Sequence, residues 1–147
     1  MTGGWLAFLL LLASPVTALA LDDVTDTVKQ EILARCRRQM GQYGASMVKA
    51  CADQDLSAAK QLTRYPRDEA TKEILDRCER QMRQYGWNMV KACADQDIEA
   101  LHALAEYVRT HTDIVASCTQ RMRTYGWNMV KACADQDIEA EKALRKF

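Results

Sequence analysis

The stretch Cys78–Ala100, CERQMRQYGWNMVKACADQDIEA, decides how this chain folds because it is written three times. Its companions are CRRQMGQYGASMVKACADQDLSA from Cys36 and CTQRMRTYGWNMVKACADQDIEA from Cys118, at spacings of 42 and then 40 residues. The segments Tyr85–Ala100 and Tyr125–Ala140 are identical. An acidic and apolar lead precedes each copy: Glu31-Ile32-Leu33, Glu73-Ile74-Leu75 and Asp113-Ile114-Val115. A leucine closes each copy, at Leu62, Leu104 and Leu144. A period of this size is the mark of a repeat array, in which one supersecondary unit stacks on the next.

Apolar residues inside the unit recur at helical spacing, as in Ile32, Cys36, Met40, Tyr43, Met47, Cys51, Ala58 and Leu62, and no segment alternates like a strand. This stripe predicts that the tyrosines and methionines fill a core. It crosses Gly44 in phase, so a bundle of three long helices is the alternative to three helical hairpins. Glycine in mid-helix costs about 1 kcal/mol relative to alanine. At Gly44, Gly86 and Gly126 a left-handed residue would instead end one helix after the tyrosine, and Ser46, Asn88 or Asn128 would cap the next. One feature counts against the hairpin: Lys49, Lys91 and Lys131 then fall at the third helical position, where the dipole favours an acid.

Cysteine spacing favours the hairpin. In one straight helix the two cysteines of a copy would stand about 22 Å apart and could not bond. In a hairpin turning at Tyr-Gly they face each other, which gives Cys36–Cys51, Cys78–Cys93 and Cys118–Cys133. Each bridge closes a short loop and contributes roughly 3 kcal/mol on the chain-entropy model, against a total of ~5–15 kcal/mol for a small domain. The fold class expected is therefore all-α, with three tandem disulfide-stapled αα-hairpins at 21–65, 66–108 and 109–147. The joints fall at Thr63–Asp68 and Tyr107–Thr112, where Pro66 and the Thr pair act as stop and restart signals.

Residues 1–20 read as a cleaved signal peptide. The run Trp5–Ala13 is apolar, Pro15 follows, and Ala18-Leu19-Ala20 is a small-residue cleavage site, although the leading MTGGW lacks Lys and Arg. All six cysteines then lie in a periplasmic or secreted chain, where disulfides persist. The 147 residues carry 20 Lys+Arg against 20 Asp+Glu, so no overall basic field suits a nucleic-acid backbone, and no membrane span is expected after cleavage.

The Asp-Gln-Asp triplets Asp53/Asp55, Asp95/Asp97 and Asp135/Asp137 are candidate partner-binding residues, because three copies in register make an acidic row. The competing account pairs the first Asp of each with Lys49, Lys91 or Lys131, four positions earlier. No EF-hand spacing is present. Trp87 and Trp127, at the hairpin tips where the first copy has Ala45, are the other partner-binding candidates. Their structural alternative is packing onto Ala92 and Ala132 as hydrophobic staples. His102 and His111 belong to no copy and have no serine or cysteine partner, so no catalytic residue, metal ligand or cofactor is assigned.

These features lead to the expectation of a non-enzymatic protein-binding or scaffolding module with a protein or envelope partner. The alternative is a copper-binding or thiol-redox protein using Cys with Met40/Met47, Met82/Met89 and Met122/Met129. A secreted effector or inhibitor is a weaker third reading.

Overall fold

Each Tyr-Gly pair turns the chain from one helix into the next. A computed structural model describes residues 24–147; the signal segment read at 1–20 lies outside the described residues. Six helices follow in order: α1 (Asp26–Met40), α2 (Ala45–Leu62), α3 (Glu69–Met82), α4 (Trp87–Thr110), α5 (Thr112–Met122) and α6 (Trp127–Leu144). Among the described residues there is no strand, and the class is all-α.

Helix α1 packs on α2, α3 on α4 and α5 on α6, while α2, α4 and α6 also stack on one another as a row. Three disulfides join the paired helices: Cys36–Cys51, Cys78–Cys93 and Cys118–Cys133, with Cα atoms 5.8, 5.7 and 5.7 Å apart. The long-helix alternative is thereby overturned, since a straight helix cannot bring residues fifteen apart into bonding range.

The turns differ in detail from the expected geometry. Helices α1, α3 and α5 tighten into a single 3-10 turn, Gly41–Tyr43, Arg83–Tyr85 or Arg123–Tyr125, before the glycine. The glycines then take φ 98°, 123° and 121° with ψ near 165° (167°, 162° and 166°). That region is open essentially to glycine alone, unlike the left-handed helical region that asparagine tolerates. Glycine is itself the N-cap residue, so Ser46, Asn88 and Asn128 sit inside the first turn, where Asn88 and Asn128 accept from the Met89 and Met129 amides at 2.9 and 2.8 Å. Lys49, Lys91 and Lys131 accordingly lie two positions further in than expected, at the fifth helical residue beyond the first turn, and the objection they raised weakens.

The two joints are unequal. Pro66 lies in a real break between α2 and α3, and Asp68 caps α3 by accepting from the Thr71 amide at 2.9 Å. The expected joint at Tyr107–Thr112 is instead mostly helix: α4 continues through Thr110, and only His111 interrupts it. No proline or glycine stands there to stop the chain, and the Thr112 hydroxyl donates back to the Val108 carbonyl at 2.6 Å.

Three apolar clusters form around the disulfides, with Cys36, Cys78 and Cys118 fully buried. Leu62 and Leu104 join the core, but the third counterpart, Leu144, is exposed. The turn tyrosines and three of the six described repeat methionines are not core residues either. Tyr43, Tyr85 and Tyr125 are 57–65% exposed, and Met47, Met89 and Met129 are 43–46% exposed. The 3-10 turn swings these positions off the buried stripe that an uninterrupted helical period would give them.

Candidate functional site

The second aspartate of the triplet shapes the seam between hairpins. Asp97, 1% exposed, accepts from the backbone N–H groups of Trp127 and Asn128, both at 3.0 Å, and pairs with Arg77. Asp55, equally buried, accepts from the Asn88 amide at 3.2 Å and pairs with Arg35. Gly86 and Gly126 have no side chain with which to cap their own helices, so a carboxylate from the preceding hairpin does it. A negative group at a helix N-terminus satisfies orphan donors and complements the dipole. The guanidinium that holds each aspartate also reaches both sulfurs of its disulfide, with Arg77 Nη2 3.3 Å from Cys78 Sγ and 3.5 Å from Cys93 Sγ.

Four further contacts repeat across both seams. Arg83 pairs with Glu31 of the preceding hairpin, and Arg123 pairs with Glu73. The same arginines lie over the rings of Trp87 and Trp127, at 5.0 and 3.9 Å from the centroids. Trp87 is packed against the clusters of the first and second hairpins, and Trp127 against those of the second and third. The Tyr65 hydroxyl donates to Asp95, and its counterpart Tyr107 donates to Asp135 at 2.7 Å.

Electrostatics follow these contacts. The Arg83 hydrogen bonds hold the Glu31 carboxyl below its ordinary range, against a smaller upward push from burial. For Asp135 burial pushes upward, yet hydrogen bonds from Lys131 and Tyr107 outweigh it and the carboxyl lies low. Tyr65 is raised by burial and by its bond to Asp95, and Tyr107 by its bond to Asp135. Lys91 and Lys131 are raised by their bonds to Asp95 and Asp135.

The residues singled out from sequence thus divide. Asp55 and Asp97 are buried inside seams and present nothing to an outside partner. Trp87 and Trp127 are half-buried between hairpins; neither is an exposed tip, and Ala92 and Ala132, expected beneath them, are themselves exposed. Asp53, Asp95 and Asp135 pair with Lys49, Lys91 and Lys131 at 2.5, 2.6 and 2.7 Å. Among the described residues no hairpin stacks on Asp137, which is 44% exposed at its side chain and paired with Arg121 at 2.7 Å. Cys118, Cys133 and Asp137 place three ligand-type atoms close together, but the two sulfurs are bonded to each other and offer no thiolate.

Sequence reading missed the seam, although a signal was present in how the copies differ. The arginine before the first cysteine is Arg35 and Arg77 but Ser117 in the last copy. The seam arginine and tryptophan of later copies are Gly41 and Ala45 in the first. Tyr65 and Tyr107 correspond to Phe147, which has no hydroxyl to give. Each departure falls on a face that meets no other hairpin among the described residues.

What remains exposed and repeated is the tip-side row. Tyr85 and Met89 share a groove of about 490 Å³ with Met40 and Met47 of the preceding hairpin, and Tyr125 and Met129 hold the same positions one hairpin further on. Comparison with known proteins finds no family model, no curated protein and no solved structure that matches this chain.

Proposed function

We propose that this chain is an exported, non-enzymatic binding or scaffolding module built as a tandem array of three hairpin repeats. Its binding face is the tip-side row of Tyr43, Met47, Tyr85, Met89, Tyr125 and Met129. The observation that carries this reading is their exposure at identical positions of three stacked units, where an ordinary soluble surface would scatter apolar groups singly. Tyrosine offers large contact area at low entropy cost, and methionine adapts to irregular partners. Three disulfides, and the lack of any described helix long and apolar enough to cross a membrane, are compatible with a periplasmic or extracellular site. The partner class is a protein or envelope component. Affinity capture from exported material should recover one set of partners with the wild type. The triple variant Tyr43→Ser, Tyr85→Ser, Tyr125→Ser should lose that set while keeping its helical content. Equal recovery by both would remove the reading.

A second reading rests on the groove itself. Met40, Met47 and Met89 line it from two hairpins, and thioethers select soft cations such as Cu(I). Because the cysteines are bridged, such a site would use methionine alone. Titration of the oxidised protein with Cu(I) against a competing chelator tests it, and Met→Leu changes at the three positions should abolish any binding.

A further inference from the structure

The first and second hairpins line a half-open cavity of about 270 Å³ whose walls do not include the capping carboxylates. Its walls are Val24, Val28, Leu62, Leu75, Trp87 and Val90. The cause is legible in the repeat. Ala59 lines this space, whereas its counterpart 42 residues on in the second hairpin is Leu101, which packs against the core cluster there. An alanine where its counterpart is leucine leaves room that the surrounding backbone does not close.

The mouth of the cavity is charged in an uneven way. Asp76 is paired with Lys72 and Glu79 with Arg83, at 3.2 and 2.5 Å. Arg67 also stands at the mouth, and among the described residues it donates only to the Thr63 carbonyl, at 3.2 Å. The carboxylates are satisfied and one guanidinium is not. The counterparts of Asp76 and Glu79 in the third hairpin are Ala116 and Thr119, so this combination of space and charge belongs to the first seam.

We propose that this cavity binds a small amphipathic carboxylate, its apolar body against Leu75, Trp87 and Val90 and its anionic head on Arg67. A cavity of about 150 Å³ holds benzene, so this larger space suits a body of roughly ten heavy atoms. Guanidinium and carboxylate match as a planar bidentate pair. The site is independent of the tip-side row and of whatever binds there.

Sodium octanoate is the probe, with octanol and octylammonium as bodies of equal length and different head. Methyl NMR of Val28, Leu75 and Val90 in the oxidised protein reads the cavity directly. The expected result is saturable shifts with octanoate, at least about tenfold tighter than with octylammonium. Ala59→Leu should abolish them while keeping the three disulfides and the helical spectrum, because leucine already occupies this register in the second hairpin. Arg67→Gln should reduce octanoate to the affinity of octanol and leave octanol unchanged. Absence of saturable shifts at millimolar octanoate would overturn the proposal, as would equal binding of octylammonium. So would an Ala59→Leu protein that gains thermal stability and still shows the wild-type shifts.

Discussion

Asp97 caps helix α6 by accepting the Asn128 amide at 3.0 Å, across 31 residues of sequence and from one hairpin to the next. The hairpins are therefore joined by charge and hydrogen bonds as well as by apolar contact. Removing the carboxylate leaves Arg77 nearly buried without a counter-charge and two helix-end donors without an acceptor. Breaking one side of a buried pair costs about 3–5 kcal/mol. Asp97→Ala should lose an amount of that order in urea unfolding. Asp137→Ala, which removes the exposed pair with Arg121, should lose under about 1 kcal/mol, as exposed pairs do.

The three turn glycines are not equivalent despite their shared backbone. A Cβ on Gly86 would stand 2.9 Å from Asp55 Oδ1 and 2.8 Å from Asn88 Oδ1, whereas one on Gly44 meets nothing within 4 Å. Both positions carry the strain of a glycine-only conformation, of order 1–3 kcal/mol. Gly86→Ala should therefore be clearly worse than Gly44→Ala in thermal unfolding, because it also dislodges the cap. Gly41→Ala, at an ordinary helical φ of −57°, should be neutral or stabilising.

How much of this was legible without coordinates depends on the range of the interaction. The hairpin and its three bridges follow from cysteine spacing and the Tyr-Gly recurrence, because both are local to one copy. The role of Asp55 and Asp97 was hidden because the groups they cap lie in the next copy, and no helical period points at them. The tyrosines misled for a different reason. A 3-10 turn at Arg83–Tyr85 shifts Tyr85 off the stripe that a continuous helix would bury, and hydrophobic spacing carries no trace of that local tightening. The differences Ser117, Gly41, Ala45 and Phe147 were the one available clue to the seam.

Stability should form a plateau bounded by acid and by alkali. Glu31, Asp68 and Asp135 have lowered folded-state pKa values: Glu31 through Arg83, Asp68 through the Thr71 amide, and Asp135 through Lys131 and Tyr107 against burial. Their contribution is complete above the unfolded carboxyl values of about 4 and is lost as pH falls through the lower folded values. Tyr65, Tyr107, Lys91 and Lys131 are raised, so theirs is complete below about 10 and is lost as pH rises through the higher folded values. Melting temperature should be flat between roughly pH 5 and 9 and fall on both sides. In Tyr107→Phe, which removes the bond to Asp135, the alkaline fall should be shallower.

Reduction should act on the whole molecule, since each core cluster is built on a bridge. The paired change Cys78→Ala with Cys93→Ala removes the staple of the central hairpin, which supports both seams. A loss of about 3 kcal/mol is expected, and the same protein should no longer unfold in one transition. Denaturation followed by near-ultraviolet circular dichroism of the tryptophans, which lie in the two seams, checks it.

The functional claim is that partners meet the exposed tyrosine and methionine row. Placing a photo-crosslinking amino acid at position 85 or 89, and separately at the exposed His102 in the body of α4, tests this in the exported protein. Discrete adducts from 85 and 89 and none from 102 are the predicted result. No adduct at the tip positions, or the same adducts from all three, would contradict the account.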